Sequence, residues 1–126
     1  MRKVFTFLIV LTTLSAGVRS AETELSTDLM QNIEDSNKSL SSNIALSNKQ
    51  AATADAKDLN EMFGQVQTFF EQKGDAKNAV DLARQSKDLS ADIIRLVADN
   101  NFDAATASAT TLSRTCRTCH TFYKKE

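Results

Sequence analysis

The stretch from Leu59 to Gly74 decides the fold, and it reads LNEMFGQVQTFFEQKG. Its apolar residues recur at intervals of three and four, so they form a broad stripe along one side of a helix. The stripe consists of Leu59, Met62, Phe63, Val66, Phe69 and Phe70. Glycine suits the left-handed position that follows a helix. The stretch therefore predicts an amphipathic helix that ends at Gly74.

The residues before this helix show the same spacing more sparsely. From Leu25 onward the apolar positions are Met30, Ile33, Leu40 and Ile44, with Asn37 at the position that the pattern skips. A hydroxyl side chain at Ser26 or Thr27 can accept from an unpaired amide of the first turn. We therefore expect a first helix that begins there and a break near Asn48.

The residues after Gly74 predict two more helices. Asp75 is the expected cap of the third helix, Asp99 to Asn101 form the expected turn, and Asp103 starts the fourth helix. The third stripe consists of Ala79, Leu82, Leu89, Ile93 and Leu96, with Ser86 in its gap. The fourth stripe consists of Ala105, Ala109, Leu112, Cys116, Cys119 and Tyr123. Both cysteines are therefore expected on the inward face of the last helix.

The composition agrees with a single all-α domain. The chain has 126 residues without proline and with three glycines, so the residues that punctuate hairpins and sandwiches are scarce. With 41% apolar residues, the chain can form one small core, whereas a multidomain enzyme is excluded. Four amphipathic helices joined by short connections predict an antiparallel, up-down-up-down four-helix bundle.

The first twenty residues have the features of a secretory signal. Arg2 and Lys3 precede a mostly apolar run from Val4 to Leu14, and small residues lead to Ala21. The run is shorter than the ~20 residues that cross a bilayer, so no membrane span is expected in the mature chain. We therefore expect a signal peptide over 1–20 and one domain over 21–126.

Removal of the signal changes the charge balance. The full chain has 15 basic and 16 acidic residues, and three of the basic ones, Arg2, Lys3 and Arg19, lie in the signal. The mature chain therefore has 15 − 3 = 12 basic and 16 acidic residues. No basic cluster interleaved with aromatic residues is present, which disfavours a nucleic-acid surface. The acidic balance suits either a partner with a basic face or solubility alone.

The most specific motif is Cys116-Arg117-Thr118-Cys119-His120, the spacing of c-type haem attachment. Residues three apart share a helix face, so the two cysteines can reach two vinyl groups on one porphyrin edge. His120 can then supply a nitrogen ligand to the iron. In bacteria c-type haem is attached after export, so one covalently bound haem c and a periplasmic location are expected together.

Three other roles for the cysteines remain open. A thioredoxin-type redox pair needs a strand-turn-helix setting, whereas the surrounding sequence is helical. A structural zinc site needs four ligands, yet Cys116, Cys119 and His120 are the only cysteines and histidine in the chain. A structural disulfide between residues three apart would close a very short loop and gain little stability. The motif therefore favours haem.

The whole mature chain resembles the cytochrome c-prime superfamily, the class II c-type cytochromes. The resemblance is carried by the signal, the four helices, the motif near the end and the Tyr123-Lys124 pair that follows it. It implies one of two iron sites. In the low-spin branch a methionine early in the first helix binds the iron opposite the histidine, and Met30 matches that position. In the high-spin branch an apolar side chain closes that face.

The resemblance implies a function as well as a site. With His120 and Met30 as axial ligands, the chain is expected to be an electron-transport cytochrome rather than an enzyme, with transient redox partner proteins. The alternative is a five-coordinate protein that binds nitric oxide or carbon monoxide, in which Met30 only packs in the core. Relatives often form homodimers through the first two helices, and a homodimer is compatible with this chain.

One feature of the family is missing from its usual place. Many relatives carry an arginine just before the distal residue, where it meets a haem propionate, but residues 22–37 contain no basic residue. Lys38, Arg114 and Arg117 are the candidates that remain, and each is equally compatible with a solvated surface charge.

Overall fold

The computed structural model describes residues 25–123 and shows an all-helical chain. Its four helices are α1 (Thr27–Ala45), α2 (Lys49–Lys73), α3 (Lys77–Ala98) and α4 (Phe102–Tyr123). These residues contain no strand, as predicted. The expected signal peptide and its cleavage point lie outside the described residues.

The helices pack around one core as a four-helix bundle. Each connection has three residues, 46–48, 74–76 and 99–101, so every helix runs back along the one before it. Each helix also packs against its neighbour in sequence, and α1 packs against α4, which closes the ring. The start of α1 and the end of α4 therefore lie at the same end of the bundle. We call it the motif end, and the other the opposite end.

The helix boundaries follow mostly from local chemistry. Ser26 Oγ accepts from the Leu29 amide at 3.4 Å and caps α1, as expected. Gly74 has a φ of 80° and ends α2 in the left-handed conformation.

One predicted cap and one predicted helix start are wrong. The N-cap of α3 is Ala76 rather than Asp75, and no side chain caps it. The fourth helix starts at Phe102 rather than at Asp103, and Asn101 caps it, since its Oδ1 accepts from the Ala104 amide at 3.2 Å. The chain reaches its helical conformation one residue later in the first case and one residue earlier in the second, as α4 begins at Phe102.

The core confirms most of the predicted stripes. Leu40 and Leu59 are fully buried, and Met30 and Asn37 are half-buried. In α3 the buried face is rotated from the expected one, because Leu82 and Leu89 are half-buried. The buried residues of α3 are Ala79, Ala83, Ser86, Ser90, Ile93, Leu96 and Val97. Most of those in its first half are small, which allows α2 and α3 to approach closely.

None of the four helices has a stretch apolar enough and long enough to cross a lipid bilayer, within the part of the chain that the structure describes.

Candidate cofactor site

The cysteines lie on the inward side of α4, near its end. Cys116 and Cys119 are both free thiols and half-buried, and Cys116 packs against the core. The buried Leu112 and Thr115 precede them on the same side of the helix. Residues three apart on a helix are neighbours on its surface, so both Sγ atoms lie on the same face of α4 at the motif end.

Burial keeps both thiols protonated. Burial, and secondarily the charge of Cys119, raises the pKa of Cys116 from 9.0 to about 11. Burial alone raises the pKa of Cys119. An apolar environment explains both directions, because it disfavours the thiolate. The thiolate form of both cysteines is therefore disfavoured relative to that of an exposed thiol, and both side chains lie in partly apolar surroundings.

His120 is exposed, on the flank of α4 that faces α1. This flank is identified by Ser113, whose Oγ accepts a 3.0 Å hydrogen bond from Asn37 Nδ2 in α1. His120 follows Ser113 by seven residues, or about two helical turns, and so lies on the same side of α4. Its imidazole is therefore exposed on the side of α4 that lies next to α1.

Met30 lies at the corresponding place on α1. It precedes Asn37 by seven residues, so it has the same orientation as Asn37, toward α4. Because α1 and α4 are antiparallel, moving back along α1 and forward along α4 leads to the same end of the bundle. Met30 and His120 are therefore at the same level, on facing flanks, one heptad beyond the Asn37–Ser113 hydrogen bond. Met30 is half-buried and packs against the core.

Apolar side chains at the motif end are incompletely covered. The Tyr123 ring lies 5.5 Å from the Phe70 ring, measured between centroids, and ties the end of α4 to the end of α2. Several other large side chains there contact the core while staying half-buried: Leu25, Leu29, Phe69 and Val80. A flat apolar group would cover such surface favourably.

The three candidate cations differ in their surroundings. Lys38 Nζ lies 2.7 Å from Glu34 Oε1, and this ion pair raises the pKa of Lys38. Arg114 and Arg117 are exposed on α4, and neither has a carboxylate within ion-pair distance among the described residues. The arginines are thus the cations near the motif that could meet an added carboxylate.

The residues present fit a covalently held haem. Two adjacent thiols, an accessible imidazole, a thioether at the level of that imidazole and an uncovered apolar surface lie at one end of the bundle. Residues 25–123 contain no cluster of three or more His, Cys, Asp and Glu side chains that could hold a metal ion. The sequence did not predict the hydrogen bond between Asn37 and Ser113. The only indication in the sequence was that Asn37 is a polar residue within an apolar stripe.

The chain matches no family model, no curated protein and no solved structure.

Proposed function

We propose that this protein is a periplasmic monohaem cytochrome of the c-prime type that transfers single electrons, with His120 and Met30 as axial ligands. The observation that carries the proposal is the attachment motif on the inward side of α4, at an end where apolar side chains remain half-buried. The common level of Met30 and His120 supports six-coordination in particular.

Each side chain has a distinct role in this proposal. Cys116 and Cys119 would hold the haem covalently, each thiol adding across a vinyl group so that Sγ bonds to one carbon and the thiol proton goes to the other. His120 would offer a ring nitrogen, and Met30 would offer a soft thioether sulfur that favours ferrous iron. Phe70 and Tyr123, whose ring centroids lie 5.5 Å apart at the same end of the bundle, would supply aromatic surface against the haem. Arg114 and Arg117 are the cations that can pair with propionates.

A bound haem c supplies an iron that gains and loses one electron. The chain's own contribution would be to hold the iron through both His120 and Met30, so that its surroundings would change little when an electron is gained or lost. A methionine paired with a histidine also raises the reduction potential. The side chains near the motif include no second histidine or further cysteine to activate a substrate, so the proposal assigns no turnover.

The first test is expression of the mature chain in a host that matures c-type cytochromes. A pyridine haemochrome assay should show one covalently bound haem. The Cys116→Ala and Cys119→Ala double variant should bind none covalently. A colourless wild-type protein contradicts the proposal.

The second test uses two methionines as a matched pair. Met30 and Met62 are both half-buried and both pack against the core, but Met62 lies in α2. Met30→Ala should convert the ferric protein from low to high spin and remove the weak far-red band of sulfur-ligated iron, whereas Met62→Ala should keep both. A high-spin spectrum in the wild type would instead favour the five-coordinate protein that binds nitric oxide or carbon monoxide.

A further inference from the structure

Asn37 occupies an apolar position in the core stripe of α1. It lies between Ile33 and Leu40, which are buried, and it is itself half-buried. Its Nδ2 donates to Ser113 Oγ at 3.0 Å. Its Oδ1 is the one side-chain atom of residues 25–123 that is buried without a hydrogen-bond partner. An unsatisfied buried oxygen destabilises the fold, so the presence of this amide calls for another explanation.

Half-buried side chains also join consecutive helices, since Asn43 Nδ2 donates to Asp55 Oδ2 at 2.7 Å and Asn60 Nδ2 donates to the Lys87 carbonyl at 2.8 Å. The fully buried polar residues, in contrast, bond within their own helices. The hydroxyls of Ser86, Ser90 and Thr115 each donate to a carbonyl four residues earlier in the same helix. Such bonds survive any sliding of one helix along its neighbour. The Asn37–Ser113 bond joins residues 76 positions apart, and it breaks when α1 slides along α4.

A single polar residue at a core position can select one helix register at the expense of stability. The register matters here because Met30 and His120 lie at one level only while Asn37 and Ser113 stay paired. A slide of α1 by one turn moves Met30 by about 5 Å along the bundle, away from the level of His120.

We propose that Asn37 is a positioning residue that, through Ser113, fixes the register in which Met30 faces His120. The inference rests on the proposed function, since it assigns Asn37 the task of presenting the sixth ligand. The amide does not touch the iron, and its effect on the ligand is transmitted by the rigid helix between residues 37 and 30.

Two variants separate this role from simple packing. Asn37→Leu removes the buried oxygen and leaves Ser113 free to donate within α4, as Thr115 does, so the midpoint of urea unfolding should rise. Ser113→Ala leaves the amide unpaired, so that midpoint should fall. Both variants should nevertheless weaken the low-spin methionine signature and lower the reduction potential. Ser86→Ala, which removes a hydroxyl bonded within α3, should change neither the spectrum nor the potential.

The opposite directions of the stability changes make the test decisive. If the spectral loss follows stability, so that Asn37→Leu keeps the full signature, Asn37 has only a structural role and the proposal is wrong.

A measurement without haem keeps the inference distinct from the proposed function. In the unmodified mature chain, a nuclear Overhauser contact between the Met30 methyl group and the His120 ring should be present in the wild type and absent in Asn37→Leu. A wild-type contact in a chain that never binds haem would overturn the proposed function but not the register. An unchanged contact in Asn37→Leu would overturn the proposal that Asn37 fixes the register of α1 against α4.

Discussion

The two ends of the bundle are built differently. At the opposite end, large aliphatic side chains such as Ile93 and Val97 are fully buried. Lys49 Nζ at the start of α2 donates to the Ala98 carbonyl at the end of α3, at 2.7 Å. At the motif end, large apolar side chains such as Leu29, Phe69 and Val80 contact the core but stay half-buried. The motif end therefore keeps more large apolar surface incompletely covered, although side chains there such as Phe70 are buried as well.

Truncation of core side chains should give the largest difference between the two ends in the free energy of unfolding. Ile93→Ala removes a fully buried side chain at the opposite end and should lower the free energy of unfolding by about 2–5 kcal/mol. Val80→Ala removes half-buried methyl groups at the motif end and should lower it by about 1 kcal/mol or less. Urea unfolding followed by circular dichroism measures both, and equal losses would contradict the comparison.

In the haem-free chain, the rate at which the thiols are alkylated measures how well the cysteines at the motif end are buried. At pH 8, a thiol with the raised pKa of Cys116, about 11, is ionised roughly a hundredfold less than one with a pKa of 9.0. Alkylation of the folded chain by iodoacetamide should therefore be much slower than alkylation in urea.

The same shift has a consequence for stability. The folded state holds the Cys116 proton more tightly than the unfolded state, so the stabilisation is complete below pH 9 and is lost between about pH 9 and pH 11. Alkylation at equal rates in the folded and unfolded chains would show that the cysteines are not packed as described.

Hydrogen exchange should report the same difference along the backbone. Amides in the first turns of α1 and the last turns of α4 should exchange on the order of tenfold faster than those near Ile93, because fewer fully buried side chains protect them. Haem attachment should reduce this difference. Uniform protection in the haem-free chain would contradict the assignment of the weaker packing to the motif end.

Helix caps should give the smallest effect. Asn101 accepts from its helix at 3.2 Å at the opposite end, and Asn101→Ala should cost about 1 kcal/mol. Ser26 accepts at 3.4 Å beside the motif end, so Ser26→Ala should cost less, about 0.5 kcal/mol. Thermal unfolding of the two variants compares them, and a larger loss for Ser26→Ala would reverse the expected order.

Sequence patterns predicted the helices better than they predicted the helix faces. The α2 stripe was recognised because its large residues recur over several turns up to Gly74. The predicted buried face of α3 differs from the observed one because Ala83 and Ser90 are not recognisable as core residues in an apolar pattern. Both are buried, since close packing between helices requires small side chains there. A large apolar residue such as leucine is recognised in a sequence as a core candidate. Which residues lie at the contact between two helices depends on how the two surfaces pack together.

The candidate site shows the same limit. The motif and Met30 were identified by residue type and spacing, since the chemistry of attachment needs those residues in that order. Their relation across the bundle was not accessible, because it depends on the Asn37–Ser113 bond and hence on the register of the first helix against the last. Local patterns do not contain the relative position of segments so far apart.

The pairing of α1 with α4 has a consequence for biogenesis. Neighbouring helices in the sequence meet through short loops, whereas joining the first helix to the last closes a loop that spans most of the chain, so we expect this contact to form late. If haem is attached as proposed above, attachment before that closure would meet an open face of α4. Attachment afterwards would have to use the surface that the folded bundle leaves half-covered at the motif end.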